Sequence, residues 1–185
     1  MNIQLPTIRT ADDFLAAYEG VEGKFEFVNG KVVEHVIKVT RSHVNLAHRL
    51  TFALGSRLDP DAHIIGSADF GVRTEAGIRY PDVFVEAAGG PAKALVTDVP
   101  LLLAEILSSS SVALDFGEKR QEYTAIPSLL HYVVLSQDEP RVWLWQRGEE
   151  GAFGSPEMIV GREAVLPLTG FGIELALAEL YRGIA

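Results

Sequence analysis

The sequence predicts an α/β fold of the α+β kind, built on a mixed sheet with an N-terminal β-hairpin. Three observations predict it. Asn29-Gly30 separates two short alternating segments, a strong short-range hairpin signal. Apolar residues then change to helical spacing over residues 41–58. Finally, a helical stretch lies between two apolar runs at 101–108 and 130–135, and a helix crossing over between two strands makes them parallel. The 185 residues suit one domain over positions 1–185, and 48% hydrophobic residues suffice for a core.

Thr10-Ala11-Asp12-Asp13 reads as a helix start, with Thr10 as the N-cap and acids in the first turn. The hairpin follows, from Lys24–Val28 through Asn29-Gly30 to residues 31–36. In the helix at 41–58, Val44, Ala47, Leu50, Leu54 and Leu58 form the apolar stripe and His43 lies near the N-terminus. Strands are predicted at 62–66, 69–74, 78–86 and 101–108. A helix at 115–125, with Asp115 as N-cap, ends at Ile126-Pro127 because the residue before proline avoids the helical region. Strands at 130–135 and Arg141–Gln146 and a short helix at 175–181 complete the order. There is no internal repeat, and Ala87-Ala88-Gly89-Gly90-Pro91 reads as a loop within the domain.

Composition excludes several chemistries. The chain has no Cys, which removes disulfides, thiolate zinc sites and cysteine nucleophiles and fits a cytoplasmic location. The first residues show no basic start followed by an apolar stretch, so no signal peptide is expected there, and no apolar run is long enough to span a membrane. The phosphate-binding glycine motifs of nucleotide-binding folds are missing. His35, His48, His63 and His131 have no zinc-ligand spacing. A net charge of −9 argues against a large preformed DNA-binding surface, although a divalent metal would supply positive charge locally.

Two acids stand in strand sequence. Asp82 lies in Arg79-Tyr80-Pro81-Asp82-Val83-Phe84-Val85, and Glu105 in Leu101-Leu102-Leu103-Ala104-Glu105-Ile106-Leu107. The second run reads as a strand buried on both faces, where an uncompensated carboxylate is costly. Such an acid either pairs with a basic residue or meets a metal or substrate. Two carboxylates on neighbouring strands suit Mg²⁺ or Mn²⁺, with the Ile106 carbonyl as a further oxygen ligand. Lys119, about one turn into the next helix, could reach back to them. The spacing alone favours an ordinary surface lysine paired with Asp115 at i, i+4.

The succession Phe25-Glu26-Phe27-Val28-Asn29-Gly30, His43, Pro81-Asp82, Glu105-Ile106-Leu107-Ser108, Gly117-Glu118-Lys119 and Tyr123 resembles the Uma-two family of bacterial restriction-endonuclease-like proteins. The likeness spans most of the chain from about Tyr18. It implies a PD-(D/E)xK core, with Asp82 and Glu105 as metal ligands. The usual motif lysine, two residues after the second acid, is replaced here by Leu107, so the resemblance makes Lys119 the candidate. It also implies Glu26 as a site acid, a general base or a water-mediated metal ligand; alternation alone would make Glu26 an exposed strand residue. His43 is the candidate for contacting substrate phosphate.

The implied function is Mg²⁺- or Mn²⁺-dependent phosphodiester hydrolysis of DNA, by a homodimer if both strands are cut. The rival is a catalytically silent module that binds nucleic acid or protein, and a third reading is hydrolysis of a smaller phosphoester. Three further features read as structural before functional. Ser108-Ser109-Ser110-Ser111 is a connector more readily than a phosphate loop. Trp143 and Trp145 suit an outer sheet face or a dimer contact. Arg41, Arg49 and Arg57 offer a modest nucleic-acid face on the 41–58 helix.

Overall fold

A computed structural model describes residues 8–35, 39–108 and 112–184. In chain order its elements begin with α1 (Ala11–Tyr18), β1 (Lys24–Val28), β2 (Lys31–His35), α2 (Arg41–Gly55), β3 (His63–Ser67), β4 (Gly71–Thr74) and β5 (Gly77–Arg79). They continue with β6 (Val83–Ala87), β7 (Val96–Thr97), β8 (Pro100–Leu107), α3 (Val112–Phe116) and α4 (Glu118–Thr124). The last part holds β9 (His131–Ser136), β10 (Arg141–Gln146), β11 (Glu157–Val160), β12 (Val165–Leu168), β13 (Ile173–Ala176) and α5 (Leu177–Leu180).

Thr10 caps α1 as its sequence predicts. Its hydroxyl accepts from the Asp13 N–H at 3.1 Å, and the Asp13 carboxylate accepts from the Thr10 N–H at 3.0 Å. The β1–β2 hairpin turns through Asn29 (φ 50°) and Gly30 (φ 76°), with Val28 facing Lys31 across the ladder. Both φ values lie in the left-handed region that Asn and Gly tolerate. Val36, the last residue of the predicted second strand, lies outside the described residues. Thr40 caps α2 by accepting the His43 N–H. Its buried stripe is Leu46, Leu50, Ala53 and Leu54. Val44 is not part of that stripe: it is 41% exposed.

Two sheets carry the fold. One has the order β2-β1-β5-β4-β7, the other β11-β10-β9-β8-β6-β3, and β12 and β13 form a separate ribbon. β8 and β9 are parallel, in register from Leu102 with His131 to Leu107 with Ser136, and α3 and α4 form the crossover between them. Around them β6 pairs antiparallel with β8 and with β3. On one face of this six-stranded sheet Leu102, Ala104, Ile106, Val133 and Leu135 pack with Leu46, Leu50 and Leu54 of α2. On the other, Phe84, Leu103, Tyr132, Val134 and Trp145 pack with Tyr123 of α4. Both faces of β8 are therefore covered, which accounts for its apolar run.

Several sequence expectations need correction. Residues 78–86 do not form one strand: β5 belongs to one sheet and β6 to the other. Pro81 stands between them, where its missing N–H breaks no ladder. The 115–125 helix is two pieces, and Asp115 is a buried residue inside α3, not an N-cap. The first part of the predicted 175–181 helix is strand β13. Trp145 is buried, with its ring stacked on Tyr132 at 5.3 Å and edge-on to Phe116, so it lies on no outer face. Arg49 donates to the Glu179 carbonyl and Arg57 pairs with the Glu179 carboxylate at 2.6 Å, so both hold α5 instead of forming a nucleic-acid face. Residues 109–111 of the serine run lie outside the described residues. Among those described, no helix is long and apolar enough to cross a membrane.

Candidate active site

Asp82 sits where the chain passes from one sheet to the other. Val83 faces Ala104 across the antiparallel β6–β8 ladder, so one further step along the register sets Asp82 opposite Glu105. The Ile106 N–H donates to Asp82 Oδ2 at 2.8 Å and fixes that carboxylate against β8. His43 Nε2, from the first turn of α2, stands 3.3 Å from Oδ1. Ile106 thus touches the site through its N–H.

Glu105 points to the α4 side of the sheet, as alternation from Leu103 requires. Lys119 Nζ lies 2.8 Å from its Oε1, and the Tyr123 hydroxyl donates to the same oxygen at 3.0 Å. Lys119 and Tyr123 are four residues apart on α4 and so share a face. Both donors fall on Oε1; among the described residues Oε2 has none. Lys119 also stands 3.5 Å from Asp115. The lysine is buried, so the reading of a surface i, i+4 pair captured one partner and the wrong environment.

Burial is the largest influence on Glu105. It pushes the carboxyl up to about 8, with help from the neighbouring Asp82 and Asp115 charges and against the pull of Lys119. Lys119 is held above the usual lysine range: burial works against its charge, but Glu105, Asp115 and Glu26 outweigh that. Burial also acts to raise Asp82, yet the His43 hydrogen bond and charge, the Ile106 N–H and the Lys24 charge bring it below the ordinary aspartate value.

Glu26 is buried too, which corrects its alternation reading as an exposed strand residue. Its Oε2 is 3.0 Å from both His35 Nε2 and Arg79 Nη1, and Oε1 accepts the Tyr80 N–H at 3.2 Å. Desolvation is the largest single influence and would raise it. His35, Lys119 and Arg79 together overcome it and take the carboxyl down to about 2. Arg79 also binds the Glu122 carboxylate through Nε at 2.8 Å and Nη2 at 2.5 Å. Arg79, His35 and Tyr123 had no role assigned from sequence. Arg79 sits on a three-residue strand whose burial on every side is not visible in its neighbours.

A cleft of about 520 Å³ opens onto Asp82 and His43. Its walls include Tyr18, Lys24, Phe25, Val44 and Tyr80. Glu105 and Lys119 do not line it. Among the described residues no three His, Asp or Glu side chains form a ready-made metal centre. Among the described residues what exists is a carboxylate pair in which one oxygen of Glu105 accepts no hydrogen bond. Burial and the neighbouring Asp82 and Asp115 charges raise the pKa of that acid, and a hard divalent cation that keeps part of its water shell fits such a donor set.

The same architecture occurs in a crystal structure described as a putative nuclease belonging to DUF820 from Anabaena variabilis. The TM-score is 0.75 at 15% identity, over 95% of this chain and 99% of that one. The fold is therefore restriction-endonuclease-like, an α+β arrangement with mixed sheets. Two Synechocystis proteins, both named as uncharacterized, are similar in sequence. One (slr1290) is 26% identical over 94% of this chain and 92% of its own length, and the other (sll1609) is 28% identical over 80% and 85%. A family model covers residues 11–178. The chain belongs to that family, Uma2, whose description is "Putative restriction endonuclease".

Proposed function

We propose that this chain hydrolyses phosphodiester bonds of DNA at the Asp82–Glu105 pair, with Mg²⁺ or Mn²⁺. The observation that carries this reading is the meeting of the two carboxylates across β6 and β8, with Lys119 reaching Glu105 from the following helix. Asp82 and Glu105 would hold the cation, with the Ile106 carbonyl as an additional oxygen. When bound, the cation would lower the pKa of an attacking water and offset charge on the phosphate. Lys119 holds Glu105 in place and supplies positive charge behind it. His43 stands on the cleft side of Asp82, where an incoming phosphate would meet it. Glu26 acts at one remove: both of its oxygens are occupied and its pKa is too low for a base, so its work is to seat Arg79 and the Tyr80 N–H beside Asp82.

The test is incubation of purified protein with labelled DNA and Mg²⁺ or Mn²⁺. Cleavage that disappears in Asp82→Ala and Glu105→Ala supports the reading, and cleavage that survives both overturns it. The second reading, a silent module binding nucleic acid or protein, is favoured by one observation: Lys119 spends its ammonium on Glu105 and Asp115. Calorimetric titration with Mn²⁺ separates the two, because only the enzyme requires metal affinity that Asp82→Asn abolishes.

A further inference from the structure

The cleft beside Asp82 has a shape and lining that bear on substrate class. Its volume of about 520 Å³ is in the range of small-molecule sites and far too small for a duplex. Three half-buried aromatic rings wall it: Tyr18 and Phe25, 4.8 Å apart at an angle of 59°, and Tyr80. Aromatic walls accept the flat face of any base, and a base presents that face only when it is out of its stack. Lys24 and His43 are on the same cleft, and the Lys24 charge is felt at Asp82. A phosphate arriving at Asp82 would therefore have a lysine and a histidine beside it.

The cation inventory points the same way. Duplex binding draws on many lysines and arginines along the backbone. Here Arg49 and Arg57 are tied to Glu179, Arg73 to Asp12 and Asp98, and Arg79 to Glu26 and Glu122. Arg147 donates to the Leu129, Ile126 and Gly151 carbonyls, and Arg162 to those of Tyr181 and Ile184. With these six arginines already held by partners within the chain, some of them in surface ion pairs, and a net charge of −9, little positive charge is left for two continuous phosphate strands. One aromatic cleft with one lysine suits a single nucleotide.

We propose that the cleft receives one unpaired nucleotide of a single-stranded nucleic acid, its base among Tyr18, Phe25 and Tyr80 and its phosphate between Lys24, His43 and Asp82. This rests on the hydrolytic reading for the position of the scissile phosphate. It also removes the need for two sites acting on two strands.

The experiment is fluorescence anisotropy of an end-labelled single strand and of the fully paired duplex of the same length, at low salt in EDTA, with the whole protein. The single strand should bind at least about tenfold tighter than the duplex. Lys24→Gln and Tyr18→Leu should each weaken single-strand binding by roughly tenfold with circular dichroism unchanged. Should Tyr18→Leu disturb α1, Val44→Glu gives an independent answer: Val44 is exposed on a helix at the cleft wall, and a carboxylate there should repel the strand. Duplex binding as tight as single-strand binding, no single-strand binding, or indifference to both Lys24→Gln and Val44→Glu overturns the inference. EDTA removes turnover from this measurement. Single-strand binding without cleavage on adding Mg²⁺ therefore counts against the hydrolytic reading alone, and cleavage of paired duplex with no single-strand preference counts against this one alone.

Discussion

Glu26 and Glu105 are the same residue type, both almost fully buried in strands, yet burial has opposite outcomes for them. Around Glu26 the charge is compensated: Arg79 pairs with it and also with Glu122 and Glu118, and His35 hydrogen-bonds the same Glu26 oxygen. Around Glu105, Asp82 and Asp115 crowd the same space and Lys119 is the cation in contact. One carboxyl is driven down to about 2 and the other up to about 8. The lesson is that burial alone does not mark a reactive acid; the local balance of charge does. A compensated acid serves as a staple, and an undercompensated one is ready for a cation.

The sharpest way to break this contrast is Glu105→Gln, which is close in shape and neutral. Initial cleavage rates should fall at least about a thousandfold with the fold intact by circular dichroism. The corresponding Glu26→Gln should cost activity far less than stability, and equal losses of activity would erase the distinction. Next in size is Arg79→Met, which leaves Glu26 and Glu122 without their shared cation. Urea denaturation should show a loss of about 3–5 kcal/mol. A loss below about 1 kcal/mol would mean that the network is not a staple.

The two acids should also pull stability in opposite directions with pH. Glu26 is depressed from 4.5 to about 2, so its contribution is present above about pH 4.5 and is lost as pH falls toward 2. Glu105 is raised from 4.5 to about 8, so the folded state holds a proton that the unfolded chain has released, and its contribution falls as pH rises through that window. In metal-free protein, thermal melts between pH 5 and 8 should decline less steeply for Glu105→Gln than for the wild type. The smallest signal is proton release: Mn²⁺ binding at pH 7 should expel up to about one proton from Glu105, read by calorimetry in buffers of different ionisation enthalpy. No release would mean that Glu105 does not meet the metal.

Much of this was legible in the sequence where a local rule has one outcome. Thr10, Asn29-Gly30 and the crossover between β8 and β9 follow from capping, turn geometry and chain connectivity. Asp82 and Glu105 stood out because acids in apolar strands need a partner. Arg79 did not, since its partners come from β1 and α4, distant in sequence. The break at Pro81 was readable from its missing N–H, but the β-forming residues on either side masked it. The ribbon of β12 and β13 follows Gly- and Pro-containing sequence, and its pairing buries its own Leu166 and Leu175 in the core together with Tyr181.

The placement of Lys119 on α4, with Leu107 at the strand position, separates two things that a strand-borne lysine keeps together. The placement of the two carboxylates follows the register of β6 against β8, and compensating charge arrives on a different piece of chain. The two are joined only through the contact of Lys119 with Glu105. A double exchange, Leu107→Lys with Lys119→Met, would move the charge onto the strand that carries Glu105 and leave the Tyr123 hydroxyl as the donor from α4 to that carboxylate.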